Sequence, residues 1–260
     1  METHLVVDRH EDGVVVLTLN RPDSLNAINT ELGLGLQASL RELAKDKQVR
    51  VLVITGRGRA FCAGGDLKER QHMTYEQWTH QHRLFQDVYR QMRRFPKPVV
   101  AAVNGIAVGG GFELVLSADF SYASPNAKFG FPEVMRGIIP GVGGTQLIGR
   151  FAPHGVALEL LMTGRTISAQ EAERRGLVNW VIDADALMAT TLDTATMIAK
   201  NSPFAVRLAK KALLLGGAMS LEDGVDMAVE LYNRTIVHPD REEGVNAYNE
   251  RRQPYFLDSD

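Results

Sequence analysis

The 260-residue sequence has little that would tie it to an oxidising compartment, a membrane or a nucleic acid. A single cysteine, Cys62, excludes an internal disulfide and fits a reducing compartment. No run reaches the ~18 consecutive apolar residues of a membrane span. The opening Met1-Glu2-Thr3-His4 lacks a signal-peptide core, so a cytoplasmic protein is expected. A formal charge of −2 gives no electrostatic reason to expect nucleic acid or an anionic membrane as partner. The motifs G-x-S-x-G, G-x-x-x-x-G-K-[ST], H-E-x-x-H and paired C-x-x-C are missing, and Gly109-Gly110-Gly111 does not fit G-x-G-x-x-G. No metal site and no nucleotide cofactor are expected. Fixed-period repeats and low-complexity linkers are also absent. What remains is an ordinary globular composition, 45% hydrophobic and 23% charged.

The most informative stretch runs from Asn104 to Leu116. The apolar Val99–Val103 before it reads as a buried strand, three glycines turn the chain, and a helix follows over Phe112–Ala118. Free N–H groups at a helix start favour developing negative charge, and Glu113, three residues past Gly110, overhangs the same spot. A donor of this kind beside a carboxylate suggests acyl chemistry. Upstream, strands at Leu5–Asp8 and Val14–Leu19 flank an Asp12-Gly13 hairpin turn, and a helix capped by Thr30 reaches Lys45. A strand over Val49–Thr55 ends at Gly56-Arg57-Gly58-Arg59, and Ala60–Glu69 reads as a second small-residue turn. In the helix over 74–93, His80 and His82 lie two apart on different faces and are expected on a solvated surface rather than at a metal. Short strands at Asp119–Ala123 and Lys128–Phe131 precede a third glycine-rich turn, Gly137–Thr145. Beyond residue 153 the pattern is helical, over 153–162, 168–175, 184–201, 203–216, 220–236 and 239–251, with one strand near Leu177–Ile182.

Ala60-Phe61-Cys62-Ala63-Gly64-Gly65-Asp66-Leu67-Lys68-Glu69, the stretch Asn104–Leu114, and Phe129-Gly130-Phe131-Pro132-Glu133 through Gly143-Gly144-Thr145 together resemble the enoyl-CoA hydratase/isomerase (crotonase) superfamily. Asn20-Arg21-Pro22 with Leu25-Asn26-Ala27 is similar to its N-terminal CoA-binding turn, and Glu243-Gly244 with Glu250–Phe256 is similar to its closing segment. The resemblance spans nearly the whole chain in the family's order. It implies an α/β fold, a crotonase-like spiral of β-β-α units over 1–195 followed by a C-terminal helical trimerisation region over 196–260. A homotrimer or homohexamer is expected.

Carried over by position, the resemblance makes the N–H groups of Gly65 and Gly110 an oxyanion hole for a thioester carbonyl. It places Ser24, Leu25, Ala27, Ala63, Asp66 and Leu67 where coenzyme A is cradled, with Arg59 and Lys68 near its phosphates. Coenzyme A is part of the substrate, so no separate cofactor is implied. Glu113 and Glu133 match the hydratase pair: Glu113 would activate water and Glu133 would supply the α-proton. The implied activity is an enoyl-CoA hydratase, a hydro-lyase. Double-bond isomerisation, decarboxylation or a specialised dehydration such as that of carnitinyl-CoA are the alternatives on this scaffold. A non-catalytic RNA binder is disfavoured by the balanced charge. Cys62 is expected to pack, not to act as a nucleophile. The acyl-tail pocket is expected within Arg70–Leu84, with Met73, Tyr75 and Trp78.

Overall fold

The computed structural model describes residues 3–257. Met1 and Glu2 of the opening segment and residues 258–260 of the C-terminal unit lie outside the described residues.

β1 (Leu5–Arg9) and β2 (Val14–Leu19) form the expected antiparallel hairpin, with Gly13 at a φ of 82° in the turn. After a 3-10 turn at Pro22–Ser24 comes α1 (Thr30–Lys45), whose Leu32, Leu36, Leu40 and Leu43 face the core at helical spacing. Its cap is Asn29 rather than Thr30: the Asn29 side chain accepts from the Leu32 N–H at 3.0 Å.

Three β-β-α units follow, and each puts one strand into each of two sheets. The first is β3 (Val51–Gly56), β4 (Ala60–Cys62), the short α2 (Leu67–Arg70) and α3 (Tyr75–Arg93). The second is β5 (Val99–Val103), β6 (Ile106–Val108) and α4 (Gly110–Leu116). The third is β7 (Phe120–Ala123), β8 (Lys128–Gly130), a 3-10 turn at Pro132–Arg136 and α5 (Gly144–Phe151). The strands at Ala60–Cys62 and Ile106–Val108 lie in stretches whose glycines read as turns. Three residues are too few to show a period, and only pairing with a neighbouring strand reveals them.

Next come α6 (His154–Thr163), β9 (Thr166–Ser168), α7 (Ala169–Arg174), β10 (Trp180–Val181) and α8 (Leu187–Ala199). The larger sheet has the order β1-β2-β3-β5-β7-β10, parallel except for the first hairpin, and the smaller has the order β4-β6-β8-β9. Strands of the larger sheet read as unbroken apolar runs because both faces are covered. Val14, Val16, Val51, Val53 and Val100 pack toward α8, while the alternate Val15, Leu17, Leu52, Ile54 and Val99 enter the main core shared with the helices.

The chain closes with α9 (Pro203–Gly216), α10 (Leu221–Ile236) and α11 (Pro239–Glu250). Lys210 on α9 anchors this unit to the sheet, donating to Asp119 at 2.7 Å and to the Lys97 carbonyl at 2.8 Å. The boundary expected at 195/196 falls inside α8, whose Leu187, Ala195 and Ala199 pack on the sheet. No helix among the described residues is long and apolar enough to cross a membrane.

Candidate active site

Two glycine turns, each after a strand of the smaller sheet, meet at one place. Past β4, Ile28 pairs with the chain at Gly65: the Ile28 N–H donates to the Gly64 carbonyl at 2.7 Å, and the Asp66 N–H to the Ile28 carbonyl at 3.0 Å. That pattern turns the Gly65 N–H away from Ile28. Past β6, Gly109 at a φ of 55° swings the chain into α4, where Gly110 is the first residue and its N–H has no intrahelical acceptor. Among the described residues neither N–H donates a backbone hydrogen bond. A Cβ added to Gly110 would stand 3.7 Å from the Gly65 nitrogen, so both donors serve one small volume. Tyr89, buried on α3, fixes the second turn by donating its hydroxyl to the Gly110 carbonyl at 2.7 Å.

Tyr89→Phe keeps the ring and removes that bond, a net loss of about 1 kcal/mol. We expect a lowered Tm, and a kcat that falls more than KM rises, because the loosened Gly110–Gly111 peptide adjoins the one that carries the Gly110 N–H, a donor needed most in the transition state. Thermal melts and steady-state kinetics check this; an unchanged kcat would show that Tyr89 does not position the turn.

The two carboxylates expected from the sequence line the same cavity, of about 600 Å³. Glu113 is only 2% exposed. Its Oε1 accepts from the Val142 N–H at 2.9 Å and the Gly144 N–H at 2.7 Å, both in the third glycine turn. Burial pushes its carboxyl up, while these N–H groups and Arg93 favour the charged form. Glu133 stands on the 3-10 turn with its Oε1 packed against Gly109, where a Cβ would approach it to 2.9 Å. Its Oε2 is buried with no hydrogen-bond partner among the described residues. Burial, and after it the neighbouring Glu113 charge, raise the Glu133 carboxyl to about 7. The pair is therefore pushed toward complementary states, one braced by two turn N–H groups and the other with a bare, buried Oε2.

A pH test follows. A carboxyl raised in the folded state keeps its proton where the unfolded chain has already ionised. Glu133 therefore contributes less stability as pH rises between the ordinary 4.5 and about 7. The Tm of Glu133→Gln should exceed that of the wild type above that window, and the gap should close below it. An equal gap at both ends would contradict the raised carboxyl.

The N-terminal turn fits against the first glycine turn. The Ala63 N–H donates to the Leu25 carbonyl at 3.0 Å, and Leu25 and Asn26 hold positive φ values of 51° and 54°. Ser24, Leu25, Ala27 and Ala63 are all partly exposed there. Asn26, which sequence reasoning passed over, is buried and donates to the Arg57 carbonyl at 2.9 Å and the Ala60 carbonyl at 2.7 Å. Asp66 braces the first glycine turn. Its carboxylate caps α2 through the Lys68 and Glu69 N–H groups and pairs with Arg21 at 2.9 Å, and its own N–H and C=O are both bonded. These bonds hold the turn in shape. Leu67 lines the cavity, and Arg59 and Lys68 are exposed without an ion pair among the described residues.

The expected tail region is only partly in place. Trp78 reaches the cavity wall, but Tyr75 is 89% exposed and Met73 faces a separate groove between α1 and α3. The opposite wall comes from Ile138, Ile139 and Val142 of the third glycine turn. The solvated surface expected around His80 holds only for His80. Gln81 is buried, bonded to Thr30, Glu69 and Arg70, and His82 lines the cavity. Cys62 is buried in the core with its thiol pushed up to about 12 by burial, which suits packing and not nucleophilic attack. Among the described residues no three His, Cys, Asp or Glu side chains gather as a metal site.

Comparison with known proteins identifies the family. The chain is 37% identical over 254 residues to a short-chain-enoyl-CoA hydratase of Clostridium acetobutylicum, covering 97% of each. It is also 37% identical to the 2,3-dehydroadipyl-CoA hydratase of Escherichia coli, over 98% of both chains. The crystal structure of an enoyl-CoA hydratase from Bacillus anthracis superposes with a TM-score of 0.96 at 41% identity, covering 98% of this chain and all of that one. A family model described as enoyl-CoA hydratase/isomerase matches residues 9–259. With the two turns and two glutamates in place, the chain belongs to the enoyl-CoA hydratase/isomerase family, the crotonase superfamily.

Proposed function

We propose that the protein is an enoyl-CoA hydratase that adds water across the 2,3 double bond of an enoyl-CoA thioester. The observation that carries this reading is the pair of unlike carboxyl groups in one cavity. Glu113 is braced by two N–H donors of the third glycine turn, and Glu133 has a raised carboxyl whose Oε2 has no partner among the described residues. The Glu113 carboxylate takes a proton from water as its oxygen attacks Cβ, and the π electrons move onto the thioester oxygen. The Gly65 and Gly110 N–H groups meet that charge, each such donor being worth about 3 kcal/mol. Glu133 then delivers its proton to Cα. Coenzyme A enters as part of the substrate, along the turns at Ser24–Ala27 and Ala63–Leu67, with Arg59 and Lys68 offered to its phosphates. No metal or nicotinamide is needed, so the assay is run in EDTA.

The test compares crotonyl-CoA with its 3-enoyl isomer. A hydratase consumes crotonyl-CoA and yields the 3-hydroxyacyl thioester. Conversion of the 3-enoyl isomer to crotonyl-CoA without hydration would make the protein an isomerase instead.

We further propose a homotrimer or a dimer of trimers. Support comes from apolar side chains left bare on the closing helices, among them Leu213 at 78% exposure, Val237 at 84% and Tyr248 at 83%. Light scattering at micromolar concentration should report three or six chains; a single-chain mass would overturn this.

A further inference from the structure

One cavity side chain has no part in the chemistry above. Arg70 ends α2, and its guanidinium lies over Gly65: a Cβ added there would meet Nη1 at 2.9 Å and Cζ at 3.0 Å. It is held in place. Nε donates to the Gln81 Oε1 at 2.9 Å, and Gln81 is itself buried and fixed by bonds to Thr30 and Glu69. The guanidinium also sits 4.7 Å from the Trp78 ring centroid and 5.3 Å from that of Phe85. Yet among the described residues no carboxylate lies within ion-pair distance, and Nη1 and Nη2 donate to nothing. A half-buried cation with two idle donors is costly to keep unless something supplies the opposing charge. The Glu69 carboxylate attracts it through space but is bonded to Gln81 and the Thr30 N–H and does not line the cavity. Glu113 and Glu133 are given to the reaction, and the remaining titratable lining is Arg70, His82, Arg136 and Tyr89, whose hydroxyl bonds the Gly110 carbonyl, so no further carboxylate is present. Burial and the Arg70 charge hold His82 below its ordinary value, so Arg70 is the fixed cation of this wall.

We infer that Arg70 selects an acyl chain bearing its own carboxylate, so that the preferred substrate is a short 2-enoyl-CoA with an anionic end. A planar guanidinium with two free N–H edges matches a carboxylate in bidentate geometry. The group rests against the glycine proposed to hold the thioester oxygen. The second carboxylate therefore sits a few bonds from the thioester rather than at the end of a long chain. The Trp78 and Phe85 rings beside the guanidinium make its surroundings less polar than water, which strengthens the pairing. This rests on the hydratase reading for the reaction but not for the binding preference.

The test uses two matched pairs. Crotonyl-CoA and glutaconyl-CoA differ by a terminal carboxylate, as do the unreactive butyryl-CoA and glutaryl-CoA. We expect wild-type kcat/KM for glutaconyl-CoA to exceed that for crotonyl-CoA by at least about tenfold, and Kd for glutaryl-CoA by calorimetry to be lower than that for butyryl-CoA by a similar factor. Arg70→Met should erase both ratios, and Arg70→Lys, which keeps the charge without the fork, should retain part of them. Equal wild-type Kd values, or a preference that survives Arg70→Met, would overturn the inference. If neither enoyl-CoA is hydrated, the hydratase reading fails alone, and the calorimetric ratio still decides the role of Arg70.

Discussion

Glu113→Gln and Glu133→Gln are each expected to lower kcat by at least about a hundredfold, the usual scale for a general acid or base. Glutamine keeps the shape of either side chain and removes its ionisation. At Glu113 the Val142 and Gly144 N–H groups still find an oxygen to bond, so the turn should hold. At Glu133 the Oε2 has no partner to lose among the described residues, and an amide oxygen can still accept from the residue's own N–H. Acyl-CoA binding should therefore change little, since the proposed thioester contacts are backbone N–H groups. The double variant should be clearly less damaged than the product of the singles, because groups that act as a unit are not additive. A Glu133→Gln enzyme that no longer hydrates crotonyl-CoA but still shifts a 3-enoyl double bond would make Glu113 the sole proton shuttle. If neither substitution affects turnover, the proposed mechanism is wrong.

Gly111→Ala is expected to destroy the fold rather than the chemistry. Gly111 lies in the first turn of α4, where that helix crosses β4, and an added Cβ would stand 1.9 Å from the Cys62 carbonyl oxygen and 2.7 Å from its carbon. Both are backbone atoms at the end of β4 and have no rotamer to yield. Overpacking a well-filled core costs about 1–3 kcal/mol where side chains can shift, and a backbone clash at this distance leaves α4 no seat at all. Since α4 carries Gly110 and Glu113, activity should go with it. Gly149→Ala is the control: it sits on exposed α5, and an added Cβ meets nothing within 4 Å. Soluble yield and thermal melts of the two variants separate the outcomes. A Gly111→Ala protein that melts like the wild type would contradict the packing described.

What was legible in the sequence was what carries a local signature. The long apolar strands, the helices of the last third and Glu113 all stand in patterns that composition and spacing expose, while Glu133 came with the family resemblance. The family resemblance then fixed their order. What escaped depends on contacts through space. β4 and β6 are three-residue strands among glycines, and only their pairing with one another and with β8 makes them strands. Asn29 caps α1 although Thr30 beside it has equal chemistry, because the Asn29 side chain is the one aligned with the Leu32 N–H. Gln81 looked like surface because its neighbours are polar, yet it is buried by Thr30 and Glu69, which are distant in sequence. Tyr89 follows the helical spacing of a core residue, and nothing in the sequence marks that its hydroxyl reaches the Gly110 carbonyl. Asp66 falls in the family's binding turn, but its partner Arg21 comes from a segment 45 residues away.

The central claim is that this cavity adds water to a 2-enoyl thioester, and isotope tracing tests it most directly. Crotonyl-CoA is incubated with the purified wild-type protein in heavy-oxygen water and, separately, in deuterated water, and the product is analysed by mass spectrometry. The account predicts a 3-hydroxybutyryl-CoA with one solvent oxygen at C3, from the water Glu113 activates, and one solvent deuterium at C2, from the proton Glu133 delivers. Solvent deuterium in an isomerised enoyl product with no solvent oxygen gained, or recovery of unlabelled crotonyl-CoA, would contradict it.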